Sequence, residues 1–236
     1  MVRVDMEPAY VLHARAYRET SQIIEVFTPT HGRAGLVARG ARRPKSVFRG
    51  LLDPFQALRV SWSGRGELST LRDAELAGQA SPINAERIIS AFYVNELLLK
   101  LLQRNDPHPD LFALYTQTIT ALADVDALEP LLRAFELGLL HEIGYAPNLV
   151  TDAVMHEALL PEQMYEFHVE QGALPVADRS EYPYCFTGEL LLAIGRRDFS
   201  APEKLLGARR LLRFVINHYV GEPGLRTRKV AAAMKR

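Results

Sequence analysis

The sequence predicts an α+β protein, with an N-terminal five-stranded OB-fold β-barrel followed by an α-helical domain. Three observations lead there. Five short β-patterned runs with Gly-rich turns fill residues 1–77. The apolar period lengthens to that of a helix near residue 80. The chain is neutral, yet its charge is divided: residues 1–80 hold 12 bases and 8 acids, 81–203 hold 7 and 19, and 204–236 hold 9 and 1. Basic ends around an acidic middle point to separate tasks along the chain.

At 236 residues the chain can bury one large core or two small ones. No apolar run reaches the roughly 18 residues of a membrane span. The opening "MVRVDMEPAYVLHA" carries acids and no apolar run, so it is not read as a secretory signal. A single cysteine, Cys185, excludes an intramolecular disulfide and a cysteine-based zinc site. A reducing cytoplasm fits these features.

The strands are read in order. "AYVLHARAY" is rich in β-formers, and "SQIIEVFTP" is an apolar run closed by the turn "TPTHG". "RAGLVARGA" follows. "FQALRVSW" and "ELSTLRDAEL" alternate around the hairpin signal "SGRG". Five strands in so short a stretch suit an OB-fold, with an SH3-like barrel as the competing form. A domain boundary is expected at residues 79–83, giving domains 1–80 and 81–236.

The helices come next. Ser81 and Pro82 are read as cap and first-turn residue of a long apolar helix. Further helices are expected at about 109–123 and 128–143, the latter with Leu128, Leu131, Leu132, Phe135, Leu139 and Ile143 on one face. Residues 145–187 lose the helical period, and an irregular insertion with a short hairpin in 154–175 is expected. A helix at about 202–220 and a basic one in "LRTRKVAAAMKR" close the chain.

The stretch "HGRAGLVARGARRPKSVFRG", residues 31–50, holds Arg33, Arg39, Arg42, Arg43, Lys45 and Arg49 and no acid. Such a loop and strand on a barrel would track a phosphate backbone. Arg65 and Trp62, near "SGRG", would extend that surface, with Trp62 as a stacking platform. A solvated loop and a core tryptophan are the plainer alternatives. Phe48 and Phe55 are read as core.

In "YVLHARAYRETSQIIEVFTPTHGRAGLVARGARRPKS", "RET" precedes an apolar strand, "HG" precedes a strand, and "ARGARR" leads into a basic loop. This stretch resembles the N-terminal signature of the RecO family of bacterial recombination mediators. "LLDPFQALRVSWSGRGELSTLRDAEL" is similar to the family's next strands. "AFYVNELLLKLL", "DPHPDLFALY", "LLRAFELGLLHEIGY" and "FTGELLLAI" are similar to its helical domain. The resemblance implies an OB-fold and a helical domain. It implies binding of single- and double-stranded DNA and annealing of complementary strands. The implied partners are RecR, the acidic C-terminal tail of the single-strand-binding protein and, indirectly, RecA. Many members carry a four-cysteine zinc site. This chain resembles the zinc-less branch, because His156, His168 and Cys185 do not rebuild that site, so no metal and no cofactor are expected.

Two further sites follow. The resemblance places the pocket for the acidic tail in the helical domain, and Arg133 is the first choice, then Lys100 and Arg104. Pairing of Arg133 with Glu129 or Glu136 at helical spacing is the alternative. Arg209, Arg210, Arg213, Arg226, Arg228 and Lys229 form an auxiliary DNA surface or a solvated face. A catalytic role is not expected. "HEIGY" lacks a second zinc-binding histidine, "GRGE" is no phosphate loop, and no GxSxG turn occurs. The remaining readings are an RNA-binding barrel module and a non-catalytic, protein-recruiting scaffold. Cytoplasmic, nucleoid-associated work is expected.

Overall fold

The computed structural model describes residues 2–78, 82–176 and 181–234. Five strands, β1 (Val2–Tyr17), β2 (Ser21–Thr28), β3 (Gly32–Ala38), β4 (Ala57–Gly64) and β5 (Leu68–Leu76), close into a barrel in the order β1-β2-β3-β5-β4. All pairings are antiparallel except β3 with β5. This is the OB-fold, so the SH3-like alternative falls away. Closure works because β1 is long enough to pair with β2 at one end and β4 at the other. Its register slips between Val4 and Glu7 and between Val11 and His13, and such bulges bend a strand around a barrel. Val11, Ile24, Val26, Leu36, Val60 and Trp62 fill the interior. Residues 39–41, expected to continue β3, instead leave the sheet in a turn at Gly40, whose φ is +69°.

The helices are α1 (Ile88–Leu101), α2 (Pro109–Ala121), α3 (Leu128–Glu142), α4 (Gly188–Gly195), α5 (Pro202–Val220) and α6 (Arg226–Met234). The expected start of α1 at residues 81–82 is corrected. Ser81 lies outside the described residues, Pro82 is not helical, and the helix begins at Ile88. The boundary expected at 79–83 also falls partly outside them. A three-stranded sheet follows, β6 (Met164–His168) between β7 (Gly172–Pro175) and β8 (Cys185–Thr187). Helix α4 was not among the expected elements.

Packing divides the chain into two compact units. Unit 1 is residues 1–125 with 225–236, and unit 2 is 126–224. Helices α1, α2 and α6 thus belong with the barrel. The reason is visible in their contacts. Tyr10 and Phe27 on the barrel meet Tyr115 and Phe112 of α2, with Tyr10 and Tyr115 edge to face at 5.1 Å. Asn95 of α1 is buried, donates through Nδ2 to the Leu12 carbonyl at 2.9 Å, and accepts from the Tyr115 hydroxyl at 2.7 Å. Burial pushes the Tyr115 pKa well above its usual value; Tyr10 adds to this and the Asn95 bond opposes it. Gly32 has φ +61°, and a Cβ there would overlap the Asp106 carbonyl, so the segment after α1 seats directly on β3.

Helix α6 has no buried residue of its own and is held mainly by polar contacts. The Glu96 carboxylate accepts from the backbone N–H groups of Arg226 and Thr227 at 2.8 and 2.9 Å and from the Thr227 hydroxyl at 2.6 Å. An acid at a helix N-terminus also complements the helix dipole. Arg228 donates to the Tyr93 hydroxyl at 2.8 Å and lies over that ring. Burial raises the Glu96 pKa. The hydrogen bonds from Thr227 and Arg226 and the charge of Lys100 outweigh it, so the group sits below its ordinary 4.5.

Two outcomes are expected. Asn95→Ala leaves the Leu12 carbonyl and the Tyr115 hydroxyl unpaired in the interior. It should lower stability in urea denaturation by about 1–3 kcal/mol for each group stranded. The depressed Glu96 pKa means its contribution is complete above pH 4.5 and is lost as pH falls through the lower folded value. NMR shifts of Thr227 should therefore step in that acidic window, and Glu96→Gln should abolish the step.

Candidate nucleic-acid interface

The loop from β3 to β4, residues 39–56, is a chain of tight turns. Successive backbone bonds run from Arg43 N–H to Gly40, Ser46 to Arg43, Arg49 to Ser46 and Leu51 to Phe48, at 3.0–3.2 Å. Phe48 and Leu52 are driven into the barrel core. Their burial anchors the loop and turns its other side chains outward. Arg39, Arg42, Arg43, Lys45 and Arg49 are all exposed. The Arg42 backbone N–H donates to the Thr20 carbonyl at 2.9 Å, tying the loop to the β1–β2 turn.

The result is an open cleft of about 420 Å³, walled by Arg42, Arg43, Pro44 and Arg49, with Phe48 and Leu52 beneath and Gln22 and Asp53 at its sides. The arginines bond only to neutral acceptors. Arg42 Nη1 reaches the Glu19 carbonyl at 3.3 Å, and Arg49 Nη1 the Pro44 carbonyl at 3.2 Å. Carbonyls orient a guanidinium without cancelling its charge. Among the described residues none of these five bases joins an ion pair. The cleft thus presents uncancelled positive charge from Arg42, Arg43 and Arg49, with one carboxylate, Asp53, also lining it.

The remaining expected contacts are distributed otherwise. Arg33 does not join the cleft: its Nη1 donates to the Leu99 carbonyl of α1 at 2.5 Å, and its buried Nε has no partner. Burial lowers its pKa, Glu25 opposes that, and Arg104 adds to it. It is a strut between strand and helix end. Trp62 is 3% exposed inside the barrel, edge to face with His31 at 5.2 Å, so it offers no stacking face to a base. Arg65 is exposed on the β4–β5 turn and lines no part of the cleft. Arg18 escaped the sequence reading. It is exposed in the β1–β2 turn to which the loop is bonded, at φ +52°, and only "YRET" marks it.

Of the bases expected to hold a peptide tail, Arg104 is paired with Glu25 on β2 through Nη2 and Nε. Lys100 is exposed in the last turn of α1. Arg133 is 6% exposed and paired with Glu136 at 2.7 Å, so it does not stand at a groove rim. Of the auxiliary set, Arg209 lies 3.8 Å from Glu129, Arg210 donates to the Pro183 carbonyl, and Arg213 and Lys229 are exposed. The side chain of Arg226 is exposed, and Arg228 is committed to Tyr93.

Comparison with known proteins follows the same outline. The family model described as "Recombination protein O N terminal" matches residues 3–80, and "Recombination protein O C terminal" matches 84–229. Among curated proteins, a "DNA repair protein RecO" of Nitrosospira multiformis is 42% identical over 229 residues, covering 97% of this chain and 95% of that one. One of an Azoarcus species is 43% identical, with the same coverage. One of Ralstonia nicotianae is 45% identical, covering 97% of this chain and 84% of its own.

Trp62 is the sole tryptophan. Its fluorescence should resist acrylamide quenching and change little on adding oligonucleotide, whereas a stacking tryptophan would be strongly quenched by bases. Trp62→Ala should cost about 3–5 kcal/mol of stability.

Proposed function

The chain belongs to the RecO family of DNA repair proteins, and on that premise we propose that it binds single- and double-stranded DNA and anneals complementary strands. In the same reading it works with RecR to help load RecA onto single strands coated by single-strand-binding protein. The observation that carries the reading is the cleft on the barrel. Arg42, Arg43 and Arg49 line it, Arg39 and Lys45 are exposed on the same loop, and among the described residues none of the five is paired with an acid. Such bases displace the counterions condensed on the phosphates of a nucleic acid, and their release favours binding with little regard to sequence. Neutralising two backbones lowers their repulsion, and lower repulsion is what annealing requires.

The activity proposed needs no covalent step, so the protein acts as a mediator and not as an enzyme. Of the bases considered for the acidic tail of the single-strand-binding protein, Lys100 is the one offered to it, because it is solvent-facing in the last turn of α1. Among the described residues no helix is long and apolar enough to cross a membrane. Work on chromosomal DNA would place the protein in the cytoplasm, at the nucleoid.

The test is annealing of two complementary fluorescent oligonucleotides without ATP. Wild type should accelerate it, and Arg42→Ala/Arg43→Ala should not. Four to six phosphate contacts would give a log–log salt slope of roughly −3 to −4, and the double variant should flatten it by about 1.4. An unchanged slope would remove these residues from the interface. A marked preference for RNA would favour the RNA-binding reading.

A further inference from the structure

Unit 2 carries a ladder of aromatic rings with arginines beside it. His168 of β6 stacks on Tyr182, with centroids 4.4 Å apart and planes at 11°. Tyr182 meets Tyr184 edge-on at 6.0 Å. Tyr184 stacks on Phe214 of α5 at 3.6 Å and 13°. All four residues are half-buried, so the ladder stays partly open to solvent. Arg210, one helical turn before Phe214, donates to the carbonyl of Pro183, the residue between the two tyrosines, and lies over the Phe186 ring at 5.0 Å. Arg213 is exposed and makes no hydrogen bond or ion pair among the described residues.

We propose that this surface is a second single-strand site, which holds one DNA strand while the barrel cleft holds the other. The inference rests on the annealing activity proposed above. Beyond lowering repulsion, one chain that holds both strands brings them to a high effective concentration, and the barrel cleft of about 420 Å³ is assigned one of them. The ladder lies in unit 2 and the cleft in unit 1, so each site is built on its own compact unit. Aromatic faces accept any base by stacking, and an adjacent guanidinium both stacks and neutralises phosphate. That pairing of ring and arginine is what distinguishes this surface from ordinary apolar packing, which would bury the rings fully.

Neighbouring acids restrict the site to one end of the ladder. Glu166 lies 3.2 Å from His168, and Glu170 lies 3.2 Å from His218. Glu129 engages Arg209, which therefore stays outside the site. The strand accordingly lies at the end formed by Tyr184, Phe214, Arg210 and Arg213, away from Glu166.

The experiment measures stoichiometry at low salt, with a fluorescent oligothymidylate about as long as one barrel-type site, roughly 15 nucleotides. Wild type should bind two oligonucleotides per chain. Arg210→Glu/Arg213→Glu should bind one, and so should Arg42→Ala/Arg43→Ala. Arg213→Glu alone, at an exposed position that folding does not need, should weaken the second event by about tenfold. The salt slope of that event should flatten by about 0.7. Photo-cross-linking of a bromodeoxyuridine strand should label residues 181–186. Saturation of wild type at one strand would overturn the second site and leave the mediator reading standing. Two strands on Arg210→Glu/Arg213→Glu would also overturn it. No binding by wild type would overturn both.

Discussion

A buried amide, that of Asn95, ties the barrel to α1 and α2. Strand β1 must bend to close the barrel, and at the slip between Val11 and His13 the Leu12 carbonyl loses its place in the ladder. A buried carbonyl without a partner would cost about 1–3 kcal/mol. Asn95 of α1 supplies the missing donor, and Tyr115 of α2 supplies the donor that Asn95 itself needs. The geometry that lets the sheet close therefore also sets where α1 and α2 lie. Arg33 repeats the device on β3, where a guanidinium from the strand satisfies the Leu99 carbonyl at the end of α1.

The arginines are sorted by what surrounds them. Arg33, Arg104 and Arg133 are drawn into packing and spend their donors on Leu99, Glu25 and Glu136. The loop bases meet only carbonyls, because Phe48 and Leu52 take the inward positions and leave Arg42, Arg43 and Arg49 facing water. Two anchored apolar side chains thus create the charged wall. Loops tied to a rigid barrel in this way can present charge without the ordering cost of a flexible tail.

Helix α6 shows how little burial a terminal element needs when its polar ends are satisfied. It buries none of its own residues, yet Leu225 just before it is buried, and Glu96 closes its first turn. The chain leaves unit 1 after residue 125 and returns to it at residue 225. Change of element type near residue 80 and division by packing are therefore different boundaries. The first is a matter of period. The second depends on which apolar faces find one another.

By itself the sequence determined the barrel, because period-two alternation and Gly-rich turns are local and need no partner to be read. It likewise determined the helical stretch after it and the acid-free run of bases. The bounds of α2, α3 and α5 were legible for the same reason, since Pro109, Leu128 and Pro202 lie where the apolar period begins. Only the tertiary structure decided that Trp62 faces inward, that Arg133 is buried against Glu136, and that Arg33 is a strut. Each of those outcomes turns on which side of an element meets another one far away in the chain. The arginine–aromatic surface of unit 2 was illegible for that reason too: β6, the segment at 182–184 and α5 meet only in the folded chain. Local sequence sets conformation through short-range sterics and period, whereas burial, which assigns each charge its task, is a property of the whole fold.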